Sequence, residues 1–155
     1  MTNYVRMRNL TQETFSLTFT PYSSCTPLQK GEEWDVDQFT VPPWDDWADV
    51  MWSNDNVGLQ DGCYYWWDID VYSPVGTYLF TAQAQELGDY SGCDKMISSK
   101  RTQQPEWNDP WVTEKGQGTN HTVTVDGHNY EIGYFWTDNE PTPSSSLFLF
   151  DIYYA

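Results

Sequence analysis

Basic residues are scarce in this chain, and their scarcity excludes whole classes of partner. The 155 residues contain 7 Lys and Arg against 23 Asp and Glu, which gives a formal net charge of -16 at pH 7. Recognition of a nucleic-acid backbone needs clustered basic side chains, as does docking on anionic lipid through a polybasic patch. The composition therefore excludes ordinary nucleic-acid binding and disfavours anionic membranes.

Long apolar runs are missing as well. The longest uninterrupted ones are Cys63–Trp67 and Leu147–Phe150, far below the roughly 20 residues of a membrane-spanning helix. The first residues, Met1 to Arg6, have neither the apolar core nor the cleavage site of a secretory signal. We therefore expect no signal peptide, with cytoplasmic accumulation or non-classical secretion and action at target-cell membranes.

Cysteines are few, and the common cofactor motifs are absent. Cys25, Cys63 and Cys93 are too scattered for a disulfide scaffold, and no pair has the close spacing of a zinc site. We expect buried or inert thiols, with one disulfide plus a spare thiol as the alternative, and the sequence does not choose the pair. Without a Gly-rich phosphate loop or a metal-ligand cluster, we expect no cofactor and no metal.

Alternation of apolar and polar residues predicts strands at both ends of the chain. In Thr14–Thr20, Phe15, Leu17 and Phe19 share one face. Tyr4–Arg8 alternates in the same way, and the two segments together predict an opening hairpin.

A second hairpin is predicted by Asp126 and Gly127, which separate the alternating segments Thr122–Val125 and Tyr130–Trp136. Asp-Gly is a strong hairpin signal because a type I′ turn needs two positive φ angles. Further candidate strands are Glu33–Val41, Asp49–Ser53, Cys63–Tyr72, Gly76–Ala82 and Leu147–Tyr154.

Several short strands between turns predict an all-β fold, a single antiparallel β-sandwich of two sheets over residues 1–155, with a barrel as the alternative. The length suits one domain. The stretch from about Glu86 to Gln104 is polar with little periodicity. It therefore predicts a loop insertion at about 86–104.

Acidic and aromatic residues are interleaved in one half of the chain. Between Gly31 and Asp94 there is no Lys or Arg, while fourteen carboxylates and six of the nine tryptophans fall there. The six are Trp34, Trp44, Trp47, Trp52, Trp66 and Trp67. Ring faces beside carboxylates attract cations, and indoles suit the membrane interface. The pattern predicts a headgroup or sugar site, against the alternative that the rings only fill the core.

Signals of catalysis are weak. His121 and His128 are the only conventional bases, and they flank a predicted strand without a serine or cysteine motif, so we expect exposed turn residues. Carboxylate pairs such as Asp68 and Asp70 would suit a glycosidase or calcium, but 23 acidic residues make chance pairs common. We predict that the chain is not an enzyme.

Several segments resemble the aegerolysin family. The box Trp107–Trp111 (Trp-Asn-Asp-Pro-Trp), followed by Gly116–Asn120 before a strand, is similar to a late box of that family. Asp61–Ile69 resembles its acidic-Gly segment leading into a strand, and Phe39–Pro42 and Tyr4–Asn9 resemble two of its strands. In order and spacing the resemblance covers most of the chain.

The resemblance implies an aegerolysin/actinoporin-like sandwich without catalytic residues. Such proteins bind sphingolipids such as ceramide phosphoethanolamine or sphingomyelin, and some are haemolysins or act with a larger pore-forming partner. If the roles of the matching positions in that family are transferred to this chain, Asp61 contacts the headgroup and Gly62 shapes the loop that holds it. Trp107 and Trp111 then face the membrane. With neighbouring tryptophans added, the predicted lipid-binding residues are Asp61, Gly62, Trp66, Trp107, Trp111 and Trp52.

The charge of the chain favours a neutral outer leaflet, because a zwitterionic headgroup presents a cation while anionic lipid is repelled. Two alternatives from other classes stay open. One is a lectin-like carbohydrate-binding module whose rings stack on sugars. The other is an acidic decoy or immunity protein that neutralises a basic partner through its field.

Overall fold

The described part of the chain consists of β-strands and their connections. The computed structural model describes residues 2–25, 37–44, 48–54, 64–89, 92–100, 118–138 and 146–154. The strands within these ranges are β1 (Thr2–Asn9), β2 (Phe15–Ser23), β3 (Gln38–Val41), β4 (Ala48–Asn54), β5 (Tyr64–Tyr72), β6 (Tyr78–Asp89), β7 (Gly92–Lys100), β8 (Gly118–Val125), β9 (His128–Asp138) and β10 (Ser146–Tyr154). No helix capable of crossing a membrane occurs among these residues.

The strands form two sheets of five. The first sheet has the order β4-β1-β10-β9-β8, and the second has the order β3-β2-β5-β6-β7. Neighbouring strands are antiparallel, except that β1 and β10 run parallel. The predicted all-β fold of two sheets is confirmed, and the expectation of purely antiparallel pairing is corrected by this one pair.

Apolar side chains of both sheets pack into one buried cluster. The predicted alternation of β2 is confirmed, because Phe15, Leu17 and Phe19 all lie in that cluster while Ser16 and Thr20 are exposed. The first sheet contributes Met7, Val123, Tyr130, Ile132 and Ile152, and the second contributes Phe15, Leu17, Phe19, Val41, Trp67, Ile69, Val71, Leu79, Phe80 and Ala82. Burial of these side chains is the main force that holds the sheets face to face.

The hairpin predicted at Asp126 and Gly127 is confirmed. Val125 pairs with His128 across a two-residue turn. Both turn residues have positive φ angles, 51° for Asp126 and 77° for Gly127. This is the backbone of a type I′ turn, which matches the right-handed twist of the strands on either side.

The predicted opening hairpin is wrong, because β1 and β2 lie in different sheets. The connection between them is held by Asn9, whose Oδ1 accepts hydrogen bonds from the backbone N (3.0 Å) and Oγ1 (2.8 Å) of Thr11. Its Nδ2 donates to the carbonyls of Glu13 (2.7 Å) and Pro42 (2.9 Å). These bonds turn the chain from one sheet to the other, a route that the alternation of each strand does not reveal.

The predicted loop insertion at about 86–104 falls on a stretch that contains strand residues wherever the structure describes it. β6 continues to Asp89 and pairs with β7 from Asp89↔Gly92 to Thr81↔Lys100. The segment is polar, but strand pairing uses backbone groups that every residue carries. A polar composition is therefore compatible with paired strands here. Residues 101–104 lie outside the described ranges.

Cys25 corrects the expectation of three inert thiols. It lies exposed two residues beyond the end of β2 and is disulfide-bonded. The alternative of one disulfide is therefore the one that the structure supports.

Candidate functional site

Most of the predicted lipid-binding residues cannot be compared with the structure. Four of the six lie outside the described ranges: Asp61, Gly62, Trp107 and Trp111. The backbone of Trp52 lies in β4 opposite Tyr4, and its side chain is not among those described. Trp66 on β5 is the member of the set whose side chain is described.

The two adjacent tryptophans of β5 point to opposite faces of the second sheet. Trp67 is 1% exposed and belongs to the core, so core filling is the correct interpretation for this ring. Trp66 is only partly buried, on the outer face. Trp44, which follows β3 at the opposite end of the sheet, is 60% exposed. Among the tryptophans whose side chains the structure describes, Trp44 and Trp66 are therefore available to a ligand.

An aromatic stack stands on the outer face at Trp66. The register of β2 and β5 places Tyr22 directly opposite Trp66, with ring centroids 5.4 Å apart and planes inclined by 12°. Tyr22 is 42% exposed. Tyr22 is not among the residues predicted from the sequence, although it continues the polar face of β2 through Thr18 and Thr20. That signal becomes useful only once the β2–β5 pairing is known.

Two carboxylates follow Trp66 on the same face of β5. The side chains of Trp66, Asp68, Asp70 and Tyr72 alternate with the buried ones of that strand, and we call these four residues the outer row. The Nε2 of Gln83 donates a hydrogen bond to Oδ1 of Asp68 at 2.8 Å. The hydroxyl of Thr81 donates to Oδ1 of Asp70. Each carboxylate is thus oriented by a buried polar residue of β6.

A second aromatic pair ends the outer row. Tyr72 contacts Tyr78 edge to face, with centroids 6.0 Å apart and planes at 72°. The hydroxyl of Tyr78 lies 2.6 Å from Oγ1 of Thr81, and it must be the donor because the single hydroxyl proton of Thr81 is given to Asp70. From Trp66 to Tyr72 the strand advances about 20 Å, at roughly 3.4 Å per residue.

The two carboxylates act electrostatically on the neighbouring phenols. The pKa of Tyr22 is raised first by burial and then by the charges of Asp68 and Asp70. The pKa of Tyr78 is raised to about 12, again mainly by burial, with Asp70 adding to the shift. Only the part of each shift that comes from the charges of Asp68 and Asp70 also favours a cation, because the larger part comes from burial, which disfavours any charge.

The raised pKa of Tyr78 predicts a loss of stability in alkali. Above pH 10 the unfolded chain releases the proton of this tyrosine, whereas the folded chain retains it. The contribution of Tyr78 to the free energy of unfolding is therefore fully present below about pH 10 and is lost as the pH rises towards 12. We expect urea unfolding curves between pH 9 and pH 11 to show a steeper decline for the wild type than for Tyr78→Phe. Equal slopes would contradict the assigned environment of this phenol. Ser16→Ala, an exposed change on β2, is the matched control and should keep the wild-type slope.

A second polar cluster is centred on Glu13, just before the start of β2. The hydroxyl of Tyr130 donates to Oε1 (3.0 Å) and Oε2 (2.7 Å) of Glu13, and the hydroxyl of Tyr154 donates to Oε2 at 3.1 Å. Burial, followed by the bond to Glu13, raises the pKa of Tyr130. The exposed His128 lies beside this cluster, its ring centroid 6.3 Å from that of Tyr130. The cluster joins the β1–β2 connection to β9 and β10 and is structural.

His128 is exposed at the start of β9, as expected for a turn residue, while the side chain of His121 is not among those described. Within the described ranges, no three His, Cys, Asp or Glu side chains are grouped to hold a metal ion. No family model, curated protein or solved structure matches the chain.

Proposed function

We propose that the chain is a non-enzymatic binding protein for the cation-bearing headgroup of a neutral membrane lipid, with sphingolipids as the lipid class. The observation that carries the proposal is the stacked pair of Tyr22 and Trp66 beside the carboxylates of Asp68 and Asp70. The stack offers ring surface and the carboxylates offer negative charge, which is the combination that holds quaternary ammonium groups.

The expected strength of one such site is modest. A cation over an aromatic ring contributes about 0.5–1 kcal/mol when exposed and about 2 kcal/mol when desolvated. The stack is partly exposed, so a single chain binds weakly. Tight attachment then requires several copies or a second protein, as when a lipid-binding component acts with a larger pore-forming partner. We extend the proposal to such a cytolytic role.

Vesicle co-sedimentation tests the proposal. We expect pelleting with neutral vesicles of sphingomyelin or ceramide phosphoethanolamine in phosphatidylcholine, and no pelleting with phosphatidylserine, because the chain carries a net charge of -16. The double variant Tyr22→Ala with Trp66→Ala should bind about tenfold more weakly. Trp44→Ala is the control, since it removes an exposed indole at the opposite end of the sheet. Dye release in the same assay measures lysis.

Variants that remove a negative charge distinguish recognition of the cationic headgroup from nonspecific binding of lipid to the aromatic rings. Asp68→Asn and Asp70→Asn should each weaken binding, whereas Asp126→Asn removes an exposed acid from the β8–β9 turn and should not. The double variant Trp107→Ala with Trp111→Ala tests the residues taken from the aegerolysin resemblance. No pelleting with any neutral lipid would exclude the proposal.

A glycan is the second candidate, and the length of the outer row favours it. Aromatic pairs stand at both ends of a row about 20 Å long, with carboxylates between them that can accept hydrogen bonds from hydroxyls. A single headgroup covers only part of such a row. A glycan array with positive signals that Trp66→Ala and Tyr72→Ala both reduce, together with inert vesicles, would favour this function.

A further inference from the structure

The sulfur partner of Cys25 follows from the register of the second sheet. β2 and β5 pair without a shift from Ser16↔Tyr72 to Ser23↔Tyr65. Cys25 follows Ser23 by two residues, and Cys63 precedes Tyr65 by two. β2 ends at Ser23 and Cys63 lies outside the described residues, but the same register extended by two residues would pair position 25 with position 63.

Both cysteines have odd residue numbers, and odd-numbered residues of β2 and β5 lie on the same face of the sheet. On β2 the odd-numbered residues Phe15, Leu17 and Phe19 face the core, and on β5 the odd-numbered Trp67 and Ile69 do so. Positions 25 and 63 continue these two series by number, at the edge of the sheet where Cys25 is exposed. Directly opposite residues on antiparallel strands have Cα atoms about 4.5–5.5 Å apart, within the roughly 7 Å that a disulfide can span.

The same topology excludes the other candidate. Cys93 lies on β7 opposite Gly88 of β6, and β7 is separated from β2 by both β5 and β6. Three strand spacings amount to about 14 Å, twice the span of a disulfide. Since the chain has three cysteines and Cys25 is disulfide-bonded, Cys63 is the remaining partner.

We infer that Cys25 and Cys63 form a disulfide that ties the end of β2 to the start of β5, and that Cys93 is the free thiol. The bond lies at the same end of the sheet as the Tyr22–Trp66 stack, and Cys63 directly follows Asp61 and Gly62 in the chain. It would therefore attach the segment with the resemblance-derived headgroup residues to the strand that carries the stack. Disulfides persist in oxidising surroundings, which suits a protein that works outside the cytosol.

Peptide mapping tests the inference on the whole protein, oxidised in a glutathione buffer and blocked with N-ethylmaleimide before digestion. Trypsin is unsuitable, because the absence of Lys and Arg between Gly31 and Asp94 leaves Cys63 and Cys93 in one fragment. Chymotrypsin cuts between them, for example after Tyr72. We expect a Cys25 peptide linked to a Cys63 peptide, with Cys93 blocked. A Cys25–Cys93 link, or three blocked cysteines, would overturn the inference.

Variants supply an independent measurement. Cys93→Ser should keep both the linked peptide and the wild-type Tm, whereas Cys63→Ser should leave Cys25 free to react and lower Tm by about 5 °C or more. If Cys93→Ser abolished the link instead, Cys63 would not be the partner. The mapping contains no lipid or glycan, so its failure is distinguishable from failure of the proposed binding function.

Discussion

Phe15→Ala is expected to lower the free energy of unfolding by about 4 kcal/mol, the largest effect of a single substitution considered for this chain. Phe15 is 0% exposed and opens β2 in the second sheet. Its ring meets that of Tyr130 from the first sheet edge to face, with centroids 6.0 Å apart and planes at 83°. Alanine would leave a cavity between the two sheets where both backbones are fixed by pairing, so the site would collapse only in part.

Urea unfolding monitored by circular dichroism measures this loss. Phe15→Leu keeps most of the buried volume and should cost less than about 1.5 kcal/mol. Ser16→Ala, at the exposed neighbouring position, should be close to neutral. If Phe15→Ala lowered the free energy of unfolding no more than Phe15→Leu does, the ring of Phe15 would not be packed between the sheets.

Glu13→Ala is expected to lower the free energy of unfolding by about 2–3 kcal/mol. The hydroxyl of Tyr130, a residue 2% exposed, donates to both carboxylate oxygens of Glu13, and Tyr154 donates to one of them. Alanine would leave the hydroxyl of Tyr130 without this acceptor in a site that water reaches poorly. An unpaired buried donor costs more than the hydrogen bond itself contributes.

A double-mutant cycle identifies the cause of that loss. Tyr130→Phe removes the donor together with its need for an acceptor, so adding Glu13→Ala to it should cost less than Glu13→Ala alone. Gln12→Ala changes the exposed neighbour of Glu13 and serves as the control. Additive effects in the cycle would show that Glu13 and Tyr130 do not interact.

The sequence predicted strands well wherever burial alternates, and predicted their partners only where pairing is local. β2 and the β8–β9 hairpin follow from alternation and from one Asp-Gly turn. The partner of β1 is β10, at the other end of the chain, and no local pattern encodes that choice. β7 was missed because its sequence is polar, and strand pairing depends on backbone groups that every residue carries.

The candidate site was predicted in part, for a related reason. Alternation separates Trp66 from Trp67, and the apolar Ile69 and Val71 identify the side of Trp67 as the core face. Tyr22 was missed because it stacks on Trp66 through a pairing between strands more than 40 residues apart in the sequence. Asp68 and Asp70 were regarded as a chance pair. Their place between two aromatic pairs depends on β2, β5 and β6 together.

The parallel pairing of β1 with β10 determines the order in which the molecule can be completed during synthesis. Asn3 pairs with Ser146, and β9 is connected to β1 in the first sheet only through β10. All strands of the second sheet lie between Phe15 and Lys100, so they leave the ribosome before β8 does. We expect the apolar face of the nascent second sheet to stay largely uncovered until β8, β9 and β10 have been synthesised. A chaperone that shields this face would then protect the chain at its most aggregation-prone stage.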